Sequence, residues 1–378
     1  MAAQGPGRNR GGRMRILHLD PDDMDNPLSG GGPVRTFEIC RRLAKRHEVT
    51  VLTPTFPGST PTKEREGIQY VRLGRKVRNH GSSHHLTFLA SLPKAVRQYD
   101  YDLLVEDFMP PCSATWTPWF KRRDKPLIAS VQWFFAHEYT RQLKLPFHWG
   151  QNLGVRWYDR FVVLTEDMKR TIEGLNPQAD CRVLPNGVSD EFYAIEPRIG
   201  DFMLFLGRIE LHAKGLDVLL QAMAMLPEAR RPRLVLAGSG FQEEALAQWL
   251  DSTGLRAWVD LVGHVQPERR AQLLRDCRFM VMPSRVETFG MTLAEANAAG
   301  KCTVIFDAAP MNEVAAPNSP RAQAFDPASL AQVIDHTHQL PDAVLAEMGM
   351  AARQWARRYD WDTVAAQQEA FYLQACER

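Results

Sequence analysis

The chain has 378 residues, 44% of them hydrophobic and 24% charged, with a formal net charge of +2. That length suits two or three domains with a large core. The charge balance gives no reason to expect a nucleic-acid partner, and no apolar run approaches the roughly 20 residues of a membrane span.

Residues 1–13 are basic and Gly-rich without an apolar h-region, so they read as a disordered tail rather than a secretory signal. Short apolar runs then alternate with amphipathic stretches, the pattern of parallel α/β units. In the first half the strands are RILHL (15–19), EVTVLT (48–53), IQYVRL (68–73), DLLVE (102–106), PLIASV (126–131) and RFVVLT (160–165). A Pro- and Gly-bearing step, AIEPRIGD, separates these from FMLFLG (202–207), RLVLAG (233–238), VDLVGH (259–264), CRFMVMP (277–283) and CTVIF (302–306). Two α/β domains are expected, 14–193 and 200–358. The segment 357–375 reads as a terminal helix with Asp360 or Asp362 near its start. No strand follows it, so residues 359–378 can cross back to complete the first domain. The six cysteines are scattered with no CxxC pair, which points to a reduced, cytoplasmic protein.

The chemistry gathers where strands give way to helices. After the first strand comes Ser29-Gly30-Gly31-Gly32-Pro33, where glycines let backbone amides approach a phosphate at a helix start. A merely flexible loop would look the same. This is not the GxGxxG fingerprint of NAD-binding proteins. The same loop carries Asp20, Asp22, Asp23 and Asp25, and the Asp20-Pro21-Asp22 spacing resembles a metal-binding acid pair, but a solvated acid-rich loop suits it better. His80, His84 and His85 lack a second ligand cluster, so no metal is expected. In the second half Arg208 and Lys214 lie just past a strand, a planar fork and a point charge suited to a diphosphate. Gly263, His264 and Val265 end another strand, where backbone groups could meet a nucleobase. The run SRVETFGMTLAEANAAG puts Glu287 in a loop and Glu295 one turn into a helix. Between them, the amides of Phe289, Gly290, Met291 and Thr292 can face a phosphate.

Taken together, SGGG (29–32), VLPNGV (183–188), LGR…KG (206–215), LAGSG (236–240), VGHV (262–265) and ETFGMTLAE (287–295) make the chain resemble the retaining GT-B glycosyltransferases of family 4. The last is that family's E-x7-E motif. The resemblance implies two Rossmann-like α/β domains facing across a cleft, with the C-terminal helix crossing back. It implies that Gly31 and Gly32 approach the donor phosphates and that Arg208 and Lys214 neutralise the diphosphate. Glu287, helped by the Phe289 and Gly290 amides, would hold the donor sugar. The Met291 and Thr292 amides would meet phosphate, and Glu295 the ribose hydroxyls. No bound metal or cofactor and no enzymic nucleophile is expected.

Two places depart from the family pattern. Gln132 and Trp133 stand where many relatives have His, and the nearest histidine is His137, a candidate sugar or acceptor contact or simply a surface residue. Glu106 and Asp107 stand at a strand end where many relatives have His, and could bind acceptor hydroxyls or a cationic acceptor, or only cap the next helix. The first half is rich in aromatics, in TWTPWFKRR (115–123), QWFF (132–135) and PFHWG (146–150). Aromatic faces beside acids suit a saccharide, lipid-linked or small-molecule acceptor. Trp116, Trp119 and Phe120 before Lys121, Arg122 and Arg123 fit either a peripheral contact with the inner face of a membrane or buried aromatics with a basic helix end. The leading function is a nucleotide-sugar-dependent glycosyltransferase. The alternatives are a sugar-nucleotide 2-epimerase, whose acid and histidine set is not assembled here, and a non-catalytic nucleotide-sugar-binding protein.

Overall fold

RILHL forms β1 (Arg15–Leu19), and four of its five residues are buried. A strand apolar on both faces belongs inside a parallel sheet covered by helices on either side. The computed structural model describes residues 12–26, 29, 31–75 and 83–377. Gly30, His80, the side chain of His84 and the basic tail to residue 11 lie outside the described residues.

The remaining strands are β2 (Glu48–Pro54), β3 (Thr62–Arg65), β4 (Ile68–Leu73), β5 (Leu103–Asp107), β6 (Leu127–Val131), β7 (Arg160–Val163), β8 (Asp180–Val183), β9 (Phe202–Leu206), β10 (Arg233–Ala237), β11 (Val259–Gly263), β12 (Phe279–Met282), β13 (Thr303–Phe306) and β14 (Arg321–Ala322). They make two sheets. The first has the order β3-β4-β2-β1-β5-β6-β7-β8, parallel except where β3 runs against β4. The second, β11-β10-β9-β12-β13-β14, is parallel throughout. In each sheet strand order reverses beside the first strand, between β1 and β5 and between β9 and β12. Such switch points open a crevice at the carboxyl ends of the strands.

Alternate residues of β1 feed opposite cores. Leu17 and Leu19 join Leu104, Val131 and Phe161 on one face, while Ile16 joins Val51, Val105 and Ile128 on the other. The terminal helix Trp361–Glu377 covers that second face with Trp361, Val364, Phe371 and Tyr372. Polar ties fix it: Arg42 Nε to Asp362 at 2.5 Å, Arg35 Nη2 to Gln368 at 2.8 Å, and Arg46 and His47 to Glu369. The second sheet has its own core around Phe205, Leu219, Leu236 and Phe279.

The chain divides into two compact units after Pro185 and again after Asp360, with the terminal helix in the first unit. Residues 186–193, expected in the first domain, fall in the second unit instead. Val188 N donates to Tyr359 O at 2.6 Å and the Tyr193 hydroxyl to Ala356 O at 2.6 Å, and these bonds tie the segment to the end of the second unit. Among the described residues no helix is long and apolar enough to cross a membrane.

Candidate active site

The loops after β9 and β12 are neighbours at the switch point of the second sheet, and backbone bonds knit them together. Gly207 N donates to Ala237 O and Ile209 N to Ser239 O, which anchors the loop after β9 to the end of β10. Arg285 N and Val286 N both donate to Ala213 O, at 3.0 and 3.1 Å. The Arg285 guanidinium adds bonds to His212 O at 2.8 Å and to Asp217 at 2.6 Å. This clamp sets Lys214 Nζ 2.5 Å from Glu287 Oε1, which also accepts from Ser284 Oγ at 3.3 Å. The two side chains are 13% and 14% exposed. In so sheltered a place the opposite charges hold each other in one geometry. Arg208 differs: its side chain is largely exposed and, among the described residues, pairs only with Glu210, at 3.1 Å.

The helix Met291–Ala298 starts where the sequence places it, capped by Gly290 at φ +88°. A Cβ at Gly290 would lie 2.6 Å from Met311 Cε, the movable end of a flexible side chain, so it is the turn rather than the packing that demands glycine. The first amides of a helix have no intrahelical acceptor, so those of Met291 and Thr292 mark an anion-favouring end. The Phe289 side chain is core, edge-on to Tyr359 at 5.3 Å. Glu295 is buried and hydrogen-bonded to Arg270, whose guanidinium stacks 5.1 Å over the Phe192 ring. Burial lowers the Arg270 pKa from its ordinary value. Arg270 was not legible in the sequence, because PERRAQLLRD reads as a solvated helix face. Gly263 closes β11 at φ +67° and its carbonyl accepts from Gly238 N. His264 beside it is exposed and Val265 half-buried.

In the first unit Gly31 and Gly32 open the helix Gly32–Leu43. A Cβ at Gly32 would lie 3.8 Å from Gln132 Oε1, so the loop after β6 meets the glycine loop. Glu106 is 1% exposed and turned into the core, where the Tyr158 hydroxyl donates to it at 2.6 Å. Burial pushes its carboxyl up to about 8. Asp107 is also buried and accepts from Thr36 Oγ1 at 2.8 Å. His18 Nε2 lies 3.3 Å from Asp107 Oδ1, an ion contact rather than an aligned hydrogen bond. Burial opposes both charges, yet His18 is held well above its usual pKa and Asp107 below its own, because each faces the other. Neither carboxyl caps a helix, and both sit beneath the surface. Trp133 and His137 each meet the Phe135 ring in a T-shaped contact, at 5.9 and 5.8 Å, with His137 exposed.

The acid-rich loop is tied mainly to β2, β3 and β4. Asp23 meets Arg72 and Thr53, Asp25 meets Arg72 and Lys63, and Asp20 accepts from Asp22 N. Among the described residues no three His, Cys, Asp or Glu side chains are grouped to hold a metal ion.

Two Rossmann-like units with cations and a carboxylate at a strand switch point define a GT-B glycosyltransferase. The profile described as Glycosyl transferases group 1 matches residues 196–355, and that of Glycosyltransferase Family 4 matches residues 29–192. A D-inositol 3-phosphate glycosyltransferase of Xylanimonas cellulosilytica is 31% identical over 98% of both chains. The phosphatidyl-myo-inositol mannosyltransferase of Mycobacterium leprae is 28% identical, over 94% of this chain and 95% of its own. Among solved structures, sucrose-phosphate synthase from Thermosynechococcus elongatus superposes with a TM-score of 0.79 at 18% identity, over 96% and 99% of the two chains. Anabaena HepE in complex with UDP-glucose does so with a TM-score of 0.71 at 18% identity, over 96% and 100%. The chain belongs to the family 4 glycosyltransferases.

Proposed function

We propose that the protein transfers a sugar, with retention at the anomeric carbon, from a nucleoside-diphosphate donor to a hydroxyl of a saccharide, glycolipid or small-molecule acceptor. The Lys214–Glu287 contact at the β9/β12 switch point carries this reading. It sets a cation for phosphate beside a carboxylate for hydroxyls, the two ends of a sugar diphosphate. When the glycosidic bond breaks, negative charge grows on the leaving phosphate. Lys214, Arg208 and the helix start after Gly290 stabilise that charge. These fixed positive groups let the reaction run without a metal ion. Glu287 accepts from donor-sugar hydroxyls, and Glu295, steadied by Arg270, accepts from the ribose. The leaving phosphate takes the acceptor proton on the same face, so no side chain serves as nucleophile. The names of the full-length relatives favour a phosphorylated cyclitol, free or lipid-borne, as acceptor, and the UDP-glucose complex of a fold neighbour favours a uridine donor.

A panel of nucleotide sugars with cyclitol-phosphate acceptors, in buffer containing chelator, tests this. We expect transfer in the presence of EDTA and a product with the donor's anomeric configuration by NMR. Lys214→Ala and Glu287→Gln should each fold and lose about 100- to 1000-fold in kcat. An inverted product, or wild-type turnover in either variant, would sink the assignment. Conversion of the donor without acceptor would indicate an epimerase instead.

A further inference from the structure

We propose that the first unit docks on an anionic lipid surface through the segment 116–160, a property beyond the transferase reading and independent of it. The segment is compositionally distinct. It holds five of the nine tryptophans, and its eight Lys and Arg against three Asp and Glu give it a net +5, while the whole chain is +2. Charge concentrated in this way is an electrostatic footprint.

The structure separates core aromatics from those left at the surface. Phe120, Val155 and Tyr158 are buried. Trp149 and Trp119 are 69% and 68% exposed, and Leu145 and Leu153 are 55% and 50% exposed. Trp149, Leu153 and Arg156 follow at i, i+4 and i+7 along the helix Phe147–Val155 and its cap, so they share one face. Gln151, Gly154 and Val155 turn inward instead. Just beyond in sequence, Trp157 packs at a tilt against the exposed Trp119, with ring centroids 4.5 Å apart.

Trp157 also lines a pocket of about 450 Å³ whose charged walls include Lys121, Arg123, Lys125 and Arg160. Asp124 and Asp159 leave it a net +2. Lys121 Nζ donates to Lys125 O at 2.7 Å, and Lys125 lies 3.5 Å from Asp102. Arg123 and Arg160 make no ion pair among the described residues, which leaves their charge for an outside anion. A soluble anion would account for the pocket but not for the exposed tryptophans and leucines of the same segment. A protein partner of ordinary composition would account for the apolar residues but not for the excess of cations. A bilayer bearing acidic headgroups accounts for both, because indoles settle at headgroup depth and lysine and arginine meet the lipid phosphates.

Flotation of the full chain with vesicles tests the proposal. Vesicles of phosphatidylcholine plus phosphatidylglycerol should carry the protein, and high salt should release it, as screening demands. Vesicles of phosphatidylcholine alone should leave it behind. Arg123→Ala with Arg160→Ala should weaken binding about 25-fold, at about fivefold per cation. Trp149→Ser with Leu153→Ser should weaken it about tenfold or more. Because Arg123, Trp149 and Leu153 are exposed and the half-buried Arg160 makes no ion pair among the described residues, both double variants should melt like the wild type. No flotation of the wild type with acidic vesicles would overturn the proposal. So would undiminished binding by both double variants, salt-insensitive binding to phosphatidylcholine alone, or self-association that consumes the same face in light scattering.

Discussion

Lys214 can meet Glu287 only because the residue after it is a glycine. Gly215 has φ +66°, and a Cβ there would lie 1.8 Å from the Pro283 carbonyl oxygen, at the base of the loop that carries Glu287. Gly254 has a similar φ of +70° but nothing within 4 Å of the Cβ position. The pair separates collision from backbone strain. Gly254→Ala should cost about 1 kcal/mol of stability and leave transfer unchanged. Gly215→Ala should push the two loops apart and lower kcat about 100-fold, the scale expected when reacting groups shift by about 1 Å. Steady-state kinetics beside thermal melting checks both, and equal activity in the two variants would break the argument. The candidate carboxylates and cations of the second unit are legible because their loops follow strands at short, regular spacing. What joins them is not: Ser284 and the Arg285–Asp217 clamp read as ordinary loop polarity, and Arg270 sits 25 residues from its partner Glu295.

At the level of elements, the terminal helix Trp361–Glu377 is held to the first unit by a small number of buried polar contacts. His47 Nδ1 accepts from Met14 N at 3.1 Å, so Nε2 carries the proton and donates to Glu369 Oε1 at 2.8 Å. Arg46 bonds the other oxygen of the same carboxylate. Glu369→Ala would leave a buried imidazole N–H without an acceptor, at a cost of about 1–3 kcal/mol. Urea unfolding followed by tryptophan fluorescence should show the midpoint fall, whereas an unshifted curve would mean water replaces the carboxylate without loss. The crossing of this helix was legible from the missing strand after it. All eleven strands read from apolar runs formed within a residue or two of their expected ends. The three overlooked strands have physical reasons. In β3, Thr62, Lys63 and Glu64 are exposed on the sheet edge, β8 is a four-residue edge strand half of which is the polar Asp180 and Arg182, and β14 has only two residues.

Across the whole molecule, the raised acid pKa values gather in the first unit, at the carboxyl ends of β1 and β5. Burial holds Glu106 at about 8 against an ordinary 4.5. Burial and the charge of Asp107 raise Asp20, and Asp107 keeps His18 charged well above 6.5 despite its burial. A group whose folded pKa exceeds its unfolded value holds a proton that the unfolded chain has released. Its contribution is complete below the unfolded pKa and is lost as pH rises through the folded one. For Glu106 that window runs from 4.5 to about 8. Asp102 works the other way: hydrogen-bonded to Arg15 and held near 2 against an ordinary 3.8, it loses its contribution as pH falls through that range. The first unit should therefore be most stable on the mildly acidic side, and its melting temperature should fall as pH rises from 4.5 toward 8. Glu106→Gln keeps an oxygen for the Tyr158 hydroxyl but cannot ionise, so its melting temperature should fall less steeply over the same range. The difference between the two curves should reach at most a few kcal/mol, at about 2–4 °C per kcal/mol for a unit of this size. Parallel curves would show that Glu106 ionises in the folded protein at an ordinary pH, which requires water or a cation beside its unpaired Oε1.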